Sequence, residues 1–436
     1  MTEKILLLSP FLNRFGTRHA DGEMLYLGQF LFNKGFTVKL FDNYLFGSQK
    51  EETIFEGFEP DTIIVHMASN ELLIESSICK LLDFLLVVKR RLRVAKIIGI
   101  GSLATSLHEE IFTYNEALDD VIAEGSVFPR NNHSQSRIPE LLNEYYRNGI
   151  ILTDDYLIQS NLKFDALDVV PVFSSRGCLN RCSFCAYNSN IVGWKERSID
   201  DLVTDIKTIN RMFNCNKFAF FDNNFGFTCG QNETRSELLA TAISSLNFAL
   251  SLSLNISCSG LNRIILHNFK RASVKGILIG LESLNQETLC KVYNKPQDVN
   301  HCRLMIEHIE QLGMVPIISY ILFQPWLRLS QLKEEVERIE HFGRHRIIQF
   351  FSKSKLQVIP NTAIEHRLIR EKLLVKGLLS REFIFEDSAV GVIHKNLKLF
   401  FSNNFSRYNK DLLSLTEFKI KEWEYLKILV KRGYNN

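Results

Sequence analysis

Long apolar runs are missing from this sequence, and so is any marked excess of charge of one sign. The stretch LLDFLLVV at 81–88 is interrupted by Asp83 and followed by Lys89, Arg90 and Arg91. A bilayer-spanning helix needs about 20 apolar residues, so no membrane partner is expected. A formal net charge of +3 over 436 residues gives no basic field for general nucleic-acid binding. The opening MTEKILLLSPFLNRF has only a short apolar run, broken by Pro10 and Asn13. A secretory signal needs a longer one and a small-residue cleavage site, so a cytoplasmic protein is expected. Prolines number only nine, and no segment is of low complexity, which argues against a disordered chain. The cysteines also number nine. An odd count without an export signal argues against a disulfide framework.

What is present reads as two α/β units and a helical tail, in a chain too long for one ordinary core. In residues 1–125, the runs KILLLS (4–9), TVKLFD (37–42), TIIVHM (62–67), KIIGIG (96–101) and DVIA (120–123) read as buried strands. Between the first two, Met24, Leu27 and Leu31 recur at helical spacing, with Gly35 as a stop. Buried strands alternating with helices predict a doubly wound, flavodoxin-like sheet, whose ligands sit at the carboxyl ends of the strands. Residues 126–165 read as a linker containing a helix or hairpin.

A second alternation fills 166–360. Ser198 and Asp201 predict a capping box before a helix. Strands are expected at 217–222, 252–257, 275–281 and 315–323, and again in IIQFFSK (347–353) and KLQVIP. ETLCKVYNK and VNHCRLMIEHIEQLG read as helices, as does LSQLKEEVERIEHF (329–342). This is the order of a partial α/β barrel. The region 361–436 is expected to be mainly helical, with Ile420, Trp423, Leu426 and Val430 on one packed face.

Six cysteines are scattered and read as small buried apolar residues. Cys178, Cys182 and Cys185 stand together in GCLNRCSFCAYN (177–188). Structural zinc asks for four Cys or His ligands, and His19 and His133 are far off in sequence. A ferredoxin-type cluster asks for a fourth cysteine. The third reading is a cluster held by three thiolates, with one iron left open to a substrate. Gly177 lets the backbone approach such a cluster, and Phe184 shields it.

Cys-x3-Cys-x2-Cys after the first strand, with an aromatic before the last cysteine, resembles the radical S-adenosylmethionine (SAM) superfamily. The resemblance implies a partial (β/α)6 barrel and a [4Fe-4S] cluster on Cys178, Cys182 and Cys185. SAM would bind the open iron, and its cleavage would yield a 5′-deoxyadenosyl radical. FFDNNFG (220–226) resembles a Phe-x-Asp-Asp-x-Phe segment of the family, with Asn223 for the second acid, and implies SAM contacts at Asp222 and Asn224. NRII (262–265) implies one at Arg263. GLES (280–283) resembles Gly-Ile-Glu-Ser and implies Glu282 and Ser283, though Ser283 with Gln286 also fits a helix cap. In YILFQPWLRLS only Pro325 matches the family turn, and VIPNTAI (358–364) carries Asn361 for a glycine.

Residues 1–125 resemble the cobalamin-binding domain that precedes many such barrels. GIGSLATSLHEE (99–110) and DDVIAEGS (119–126) carry the likeness, which implies cobalamin contacts at Gly101, Ser102, Thr105 and Glu124. The Asp-x-His-x-x-Gly cobalt-ligand motif is absent, as it often is in radical SAM relatives. A methylthiotransferase would carry more cysteines in its first domain, and only Cys79 precedes Cys178. The resulting expectation is a cobalamin-dependent radical SAM enzyme that methylates carbon in a small-molecule or peptide substrate. An external donor such as flavodoxin or ferredoxin would supply its electrons. The alternatives are a radical SAM cyclase, dehydratase, epimerase or deoxygenase, and a non-catalytic cluster or cobalamin sensor.

Overall fold

A computed structural model of the chain describes residues 2–9, 21–42, 55, 57–67, 75–92, 96–123, 126–130, 137–147, 151–159, 168–186, 194–226, 229–295, 297–347, 349–408 and 412–432. The first sheet holds β1 (Lys4–Ser9), β2 (Thr37–Asp42), β3 (Thr62–His66), β4 (Lys96–Ile100), β5 (Asp120–Ala123) and β6 (Ser126–Pro129), in the order β2-β1-β3-β4-β5-β6. All pairs are parallel except β5 with β6. The order reverses beside β1, so the switch point for a ligand lies between the ends of β1 and β3. Strand alternation splits the faces. Ile5 and Leu7 join one core, and Leu6 and Leu8 join another with the helices at 75–92 and 108–114. The β5–β6 hairpin carries the first sheet across residue 125, into the stretch read as a linker.

The second sheet holds β7 (Val170–Val172), β10 (Lys217–Phe220), β11 (Ser251–Asn255), β12 (Val274–Glu282) and β13 (Val315–Tyr320), in the order β13-β12-β11-β10-β7 and all parallel. A separate ribbon pairs β8 (Ser175–Gly177) with β9 (Trp194–Glu196). Two strands expected after β13 are reduced to single bridges, Ile318 with Ile347 and Phe323 with Lys355. In the first of them the buried Glu422 accepts the amides of Phe351 and Ser352 at 2.8 and 2.9 Å. The chain turns there into a short 3₁₀ segment, Phe351–Lys353. ETLCKVYNK likewise gives only one π turn, Thr288–Val292. Ser198 caps the helix Ile199–Phe213 by accepting from the Asp201 amide at 3.1 Å.

The tail contains helices at Ala363–Arg370, Ser388–Tyr408 and Leu412–Arg432, with a small hairpin of β14 (Leu374–Lys376) and β15 (Arg381–Phe383). Trp423, Leu426 and Val430 are buried as expected. Ile420 is instead 44% exposed; Phe418 and Leu429 complete the packed face. Among the scattered cysteines, Cys258 and Cys302 are buried, Cys79 and Cys215 are half-buried, and Cys290 is exposed. No described helix is long and apolar enough to cross a membrane.

The two units share one continuous core. The helix Gly22–Asn33 is apolar nearly all round because it is packed between them. Its Tyr26 hydroxyl donates to Asp205 at 2.6 Å. Asp205 also accepts the Leu152 amide at 2.8 Å and pairs with Arg197 at 2.6 Å. The Asp205 and Arg197 side chains are 0% and 9% exposed. Asp205→Ala therefore leaves a buried guanidinium without its partner. A loss of about 3–5 kcal/mol is expected in a urea melt; a loss under ~1 kcal/mol would show that this contact does not tie the units.

Candidate functional site

The cysteine loop begins where β7 ends. Asp222, just past β10, is buried and accepts from the Ser174 and Ser175 amides at 2.8 and 3.0 Å and from the Ser174 hydroxyl. The Asn224 carbonyl accepts from Ser175 Oγ at 3.0 Å and Trp194 Nε1 at 3.1 Å. These bonds fix β8. Gly177, with φ +83°, then turns the chain into Cys178.

The loop is stitched down on its far side as well. The Ser183 amide donates to the Tyr293 carbonyl at 2.9 Å, and its hydroxyl to the Val292 carbonyl at 2.6 Å. Asn294 Nδ2 donates to the Arg181 carbonyl at 2.8 Å, and the Ile364 amide to the Ser183 carbonyl at 3.0 Å. Phe184 stands edge-on to Tyr293, with centroids 5.4 Å apart. Burial pushes the Cys182 thiol up to about 11, against the pull of the Lys295 ammonium. Burial raises the Cys178 thiol too. Thiols so placed become ligands when a metal takes the proton's place. Among the described residues, no three His, Cys, Asp or Glu side chains converge where one metal ion would sit. Cysteines that each hold a different iron of one cluster need no such point.

Glu282 ends β12 on the same rim. Its ladder with β13 shifts register between Gly280 and Glu282, and its φ is +65°. A left-handed glutamate is strained backbone of the kind held at functional sites. Lys295 Nζ lies 3.0 Å from Glu282 Oε1, and Ser319 Oγ is 3.3 Å from both carboxylate oxygens. Asn224 Oδ1 accepts the Ser257 amide at 2.9 Å, while its Nδ2 is buried without a partner. A buried amide donor is costly unless a ligand meets it. A buried carboxylate and an orphan amide, together with the three cysteines of the loop, fit the cluster and the amino-acid end of SAM.

The other residues singled out from the sequence have different tasks. The Asp222 carboxylate is taken up by the chain itself. Ser283 Oγ donates to the buried Glu335 at 3.0 Å and accepts the Asn285 amide at 3.0 Å. Asn285, not Ser283, caps the following turn at the Thr288 amide. Arg263 is exposed on the first turn of the helix Arg263–Arg271. Lys295 went unnoticed in sequence, as one more lysine in a helix-like run.

At the first sheet, Gly101 has φ +98°, and a Cβ there would meet the Met67 carbonyl at 2.7 Å and His66 Cδ2 at 2.9 Å. Ser102 opens a short helix, Ser102–Ser106. Thr105 donates back to the Gly101 carbonyl at 2.9 Å. Glu124 lies outside the described residues. The sequence did not reveal a further group at the switch point. Asp21 caps the helix Gly22–Asn33 and accepts Ser9 Oγ at 2.9 Å, and its Oδ2 lies 2.6 Å from His66 Nδ1. With Ser9, Asp21 and His66 spread over 58 positions, no local spacing marks them.

The two rims are joined. Asn361 Nδ2 donates to the Ser106 carbonyl at 3.2 Å, and Arg381 links Glu365, at 2.7 Å, to Glu110. Asn361 has φ +62°, a left-handed conformation that asparagine adopts more readily than most residues. Gly22, beside Asp21, packs against Phe173 and Pro171 at the start of the barrel.

Residues 172–325 match the radical SAM superfamily. No curated protein matches the chain in sequence. The fold is similar to that of the cobalamin-dependent S-adenosylmethionine radical enzyme OxsB, solved with aqua-cobalamin and S-adenosylmethionine bound. The match covers 98% of this chain and 72% of that one, with a TM-score of 0.74 and 13% identity. The radical S-adenosylmethionine methyltransferase TsrM from Kitasatospora setae, solved with cobalamin and a [4Fe-4S] cluster, matches over 85% of this chain and 75% of its own. Its TM-score is 0.64 at 11% identity. TsrM has also been solved with tryptophan substrate and a SAM analog, at 12% identity. The architecture of this chain, a doubly wound domain before a radical SAM barrel, is thus that of cobalamin-dependent radical SAM enzymes.

If Asp222 serves the loop and not SAM, its loss should loosen the cluster while all three cysteines remain. After anaerobic reconstitution and desalting, Asp222→Ala is expected to retain several-fold less iron than the parent. Parent-like iron with weakened SAM binding would contradict this assignment.

Proposed function

Taking the radical SAM domain at 172–325 as premise, we propose that this chain is a cobalamin-dependent radical SAM enzyme. Its product class is a carbon-methylated small molecule or peptide. Cys178, Cys182 and Cys185 would hold a [4Fe-4S] cluster, which when bound supplies the electron for reductive cleavage of SAM. Glu282 and Asn224 would orient the amino-acid end of SAM through a fixed carboxylate and a fixed amide donor. Cobalamin, when bound at the switch point beside Gly101, Ser102, Thr105 and His66, supplies a methyl carrier.

The observation that carries the reading is the junction of the two rims. The 101–110 segment is bonded to 361–365 and Arg381, so ligands at the two sheet ends would face a common space. The two neighbours, OxsB and TsrM, bind cobalamin on the same architecture, which supports the first domain's role. The electron would come from an external one-electron donor of the flavodoxin or ferredoxin kind, and the reaction would run in the cytoplasm.

Incubation of the reconstituted protein with SAM, cobalamin, reductant and a candidate substrate tests the assignment. 5′-Deoxyadenosine together with S-adenosylhomocysteine is expected. 5′-Deoxyadenosine alone would remove methyl transfer and favour a cyclase, dehydratase, epimerase or deoxygenase. An intact cluster that cleaves no SAM would favour a sensor.

A further inference from the structure

Ser9, Asp21 and His66 form one polar group at the carboxyl edge of the first sheet. Ser9 follows Leu7, and His66 follows Ile64, at two-residue spacing, so both lie on the face whose apolar residues join the shared core. The Asp21 side chain is 6% exposed, and its Oδ1 caps the helix Gly22–Asn33 by accepting the Met24 amide at 3.2 Å. Its Oδ2 accepts the Ser9 hydroxyl at 2.9 Å and lies 2.6 Å from His66 Nδ1. An ionised carboxylate only accepts, so Nδ1 carries the imidazole proton and the ring's lone pair is on Nε2. The backbone under the ring is fixed as well. His66 pairs with Ile100 in the last rung between β3 and β4. The Met67 amide donates to the Ile100 carbonyl at 2.8 Å, and the Leu103 amide to the Met67 carbonyl at 3.1 Å.

The His66 side chain is nevertheless 17% exposed, at the edge where open α/β sheets take their ligands. Gly101 keeps its own backbone compatible with that ring, since a Cβ there would stand 2.9 Å from Cδ2, the ring carbon bonded to Nε2. A carboxylate on one ring nitrogen fixes the tautomer and raises the basicity of the other, which is how metal-bound histidines are held. A bare metal ion would need more protein ligands than this. Among the described residues, no three His, Cys, Asp or Glu side chains converge where one would sit. A metal that arrives in its own macrocycle needs only one.

We propose that His66 Nε2 is an axial ligand to the cobalt of cobalamin, and that Asp21 is the residue that positions it. The inference rests on the cobalamin reading above. The bond forms by donation of the Nε2 lone pair to cobalt, and water or cobalamin's own dimethylbenzimidazole leaves that position. No proton moves, because the ring's proton is already on Nδ1, on the side of Asp21.

The test is the EPR spectrum of bound cob(II)alamin, read at liquid-nitrogen temperature on protein loaded with unlabelled cobalamin and desalted. An axial nitrogen splits each cobalt line. Unlabelled protein should give triplets from ¹⁴N, and protein labelled with ¹⁵N in its histidines alone should give doublets. Triplets that persist in the labelled protein put dimethylbenzimidazole on cobalt and overturn the proposal, as unsplit lines do. His66→Gln should lose the splitting. His108, whose Nδ1 lies 2.9 Å from the Thr105 carbonyl, is another histidine of this rim, and His108→Gln should keep the doublets. Doublets lost in His108→Gln overturn the assignment to His66, and this arm decides if the His66 variant does not fold. A parent protein that takes up no cobalamin overturns the cobalamin reading itself, whereas bound cobalamin without histidine splitting overturns only the role of His66.

Discussion

The Asp205 carboxylate, wholly buried, receives the Tyr26 hydroxyl, the Leu152 amide and the Arg197 guanidinium. Those three groups belong to the first α/β unit, the connecting segment and the barrel. Burial alone would lower the Arg197 pKa; Tyr26 and Asp205 outweigh it and hold the guanidinium charged. A buried pair of this kind adds little net stability over apolar packing, but it permits few alternative arrangements. It fixes how the helix Gly22–Asn33 lies against the barrel. That helix starts at Asp21, the residue at the first sheet's switch point. The register of the two ligand-facing rims thus depends on a contact remote from both.

The same economy governs the cysteine loop. A loop that wraps a cluster has few backbone bonds of its own, so its partners come from outside. Asp222 and Asn224 hold its entry, and Val292, Tyr293, Asn294 and Ile364 hold its body. The residues from 288 to 295 do double duty. They pin the loop and deliver Lys295 to Glu282. An ordinary helix there would point that lysine elsewhere, which gives the π turn a reason to exist.

Much of this was legible in sequence because periodicity and chain order encode it. The strands of both sheets apart from β6, the helix stop at Gly35 and the helix 329–342 follow from local pattern. The cysteine triplet and the glutamate of GLES also stand out, since each breaks the pattern around it. What stayed hidden is long-range. Asp222 reads as a ligand residue until Ser174 and Ser175 are seen to occupy it. Ser283 reads as a cap or a SAM contact until Glu335 takes its hydroxyl. The first strand expected after β13 has the right composition, but Glu422, some 70 positions on, claims the amides of Phe351 and Ser352. Asp21 and His66 meet only through the sheet.

The central claim is that the three-cysteine loop keeps one iron of a cluster open for SAM. Electron–nuclear double resonance of the reduced cluster, with SAM labelled by ¹⁵N at the amino group and ¹⁷O at the carboxylate, tests it most directly. Hyperfine coupling from both labels is predicted. An intact reduced cluster that shows neither coupling with SAM present would contradict it.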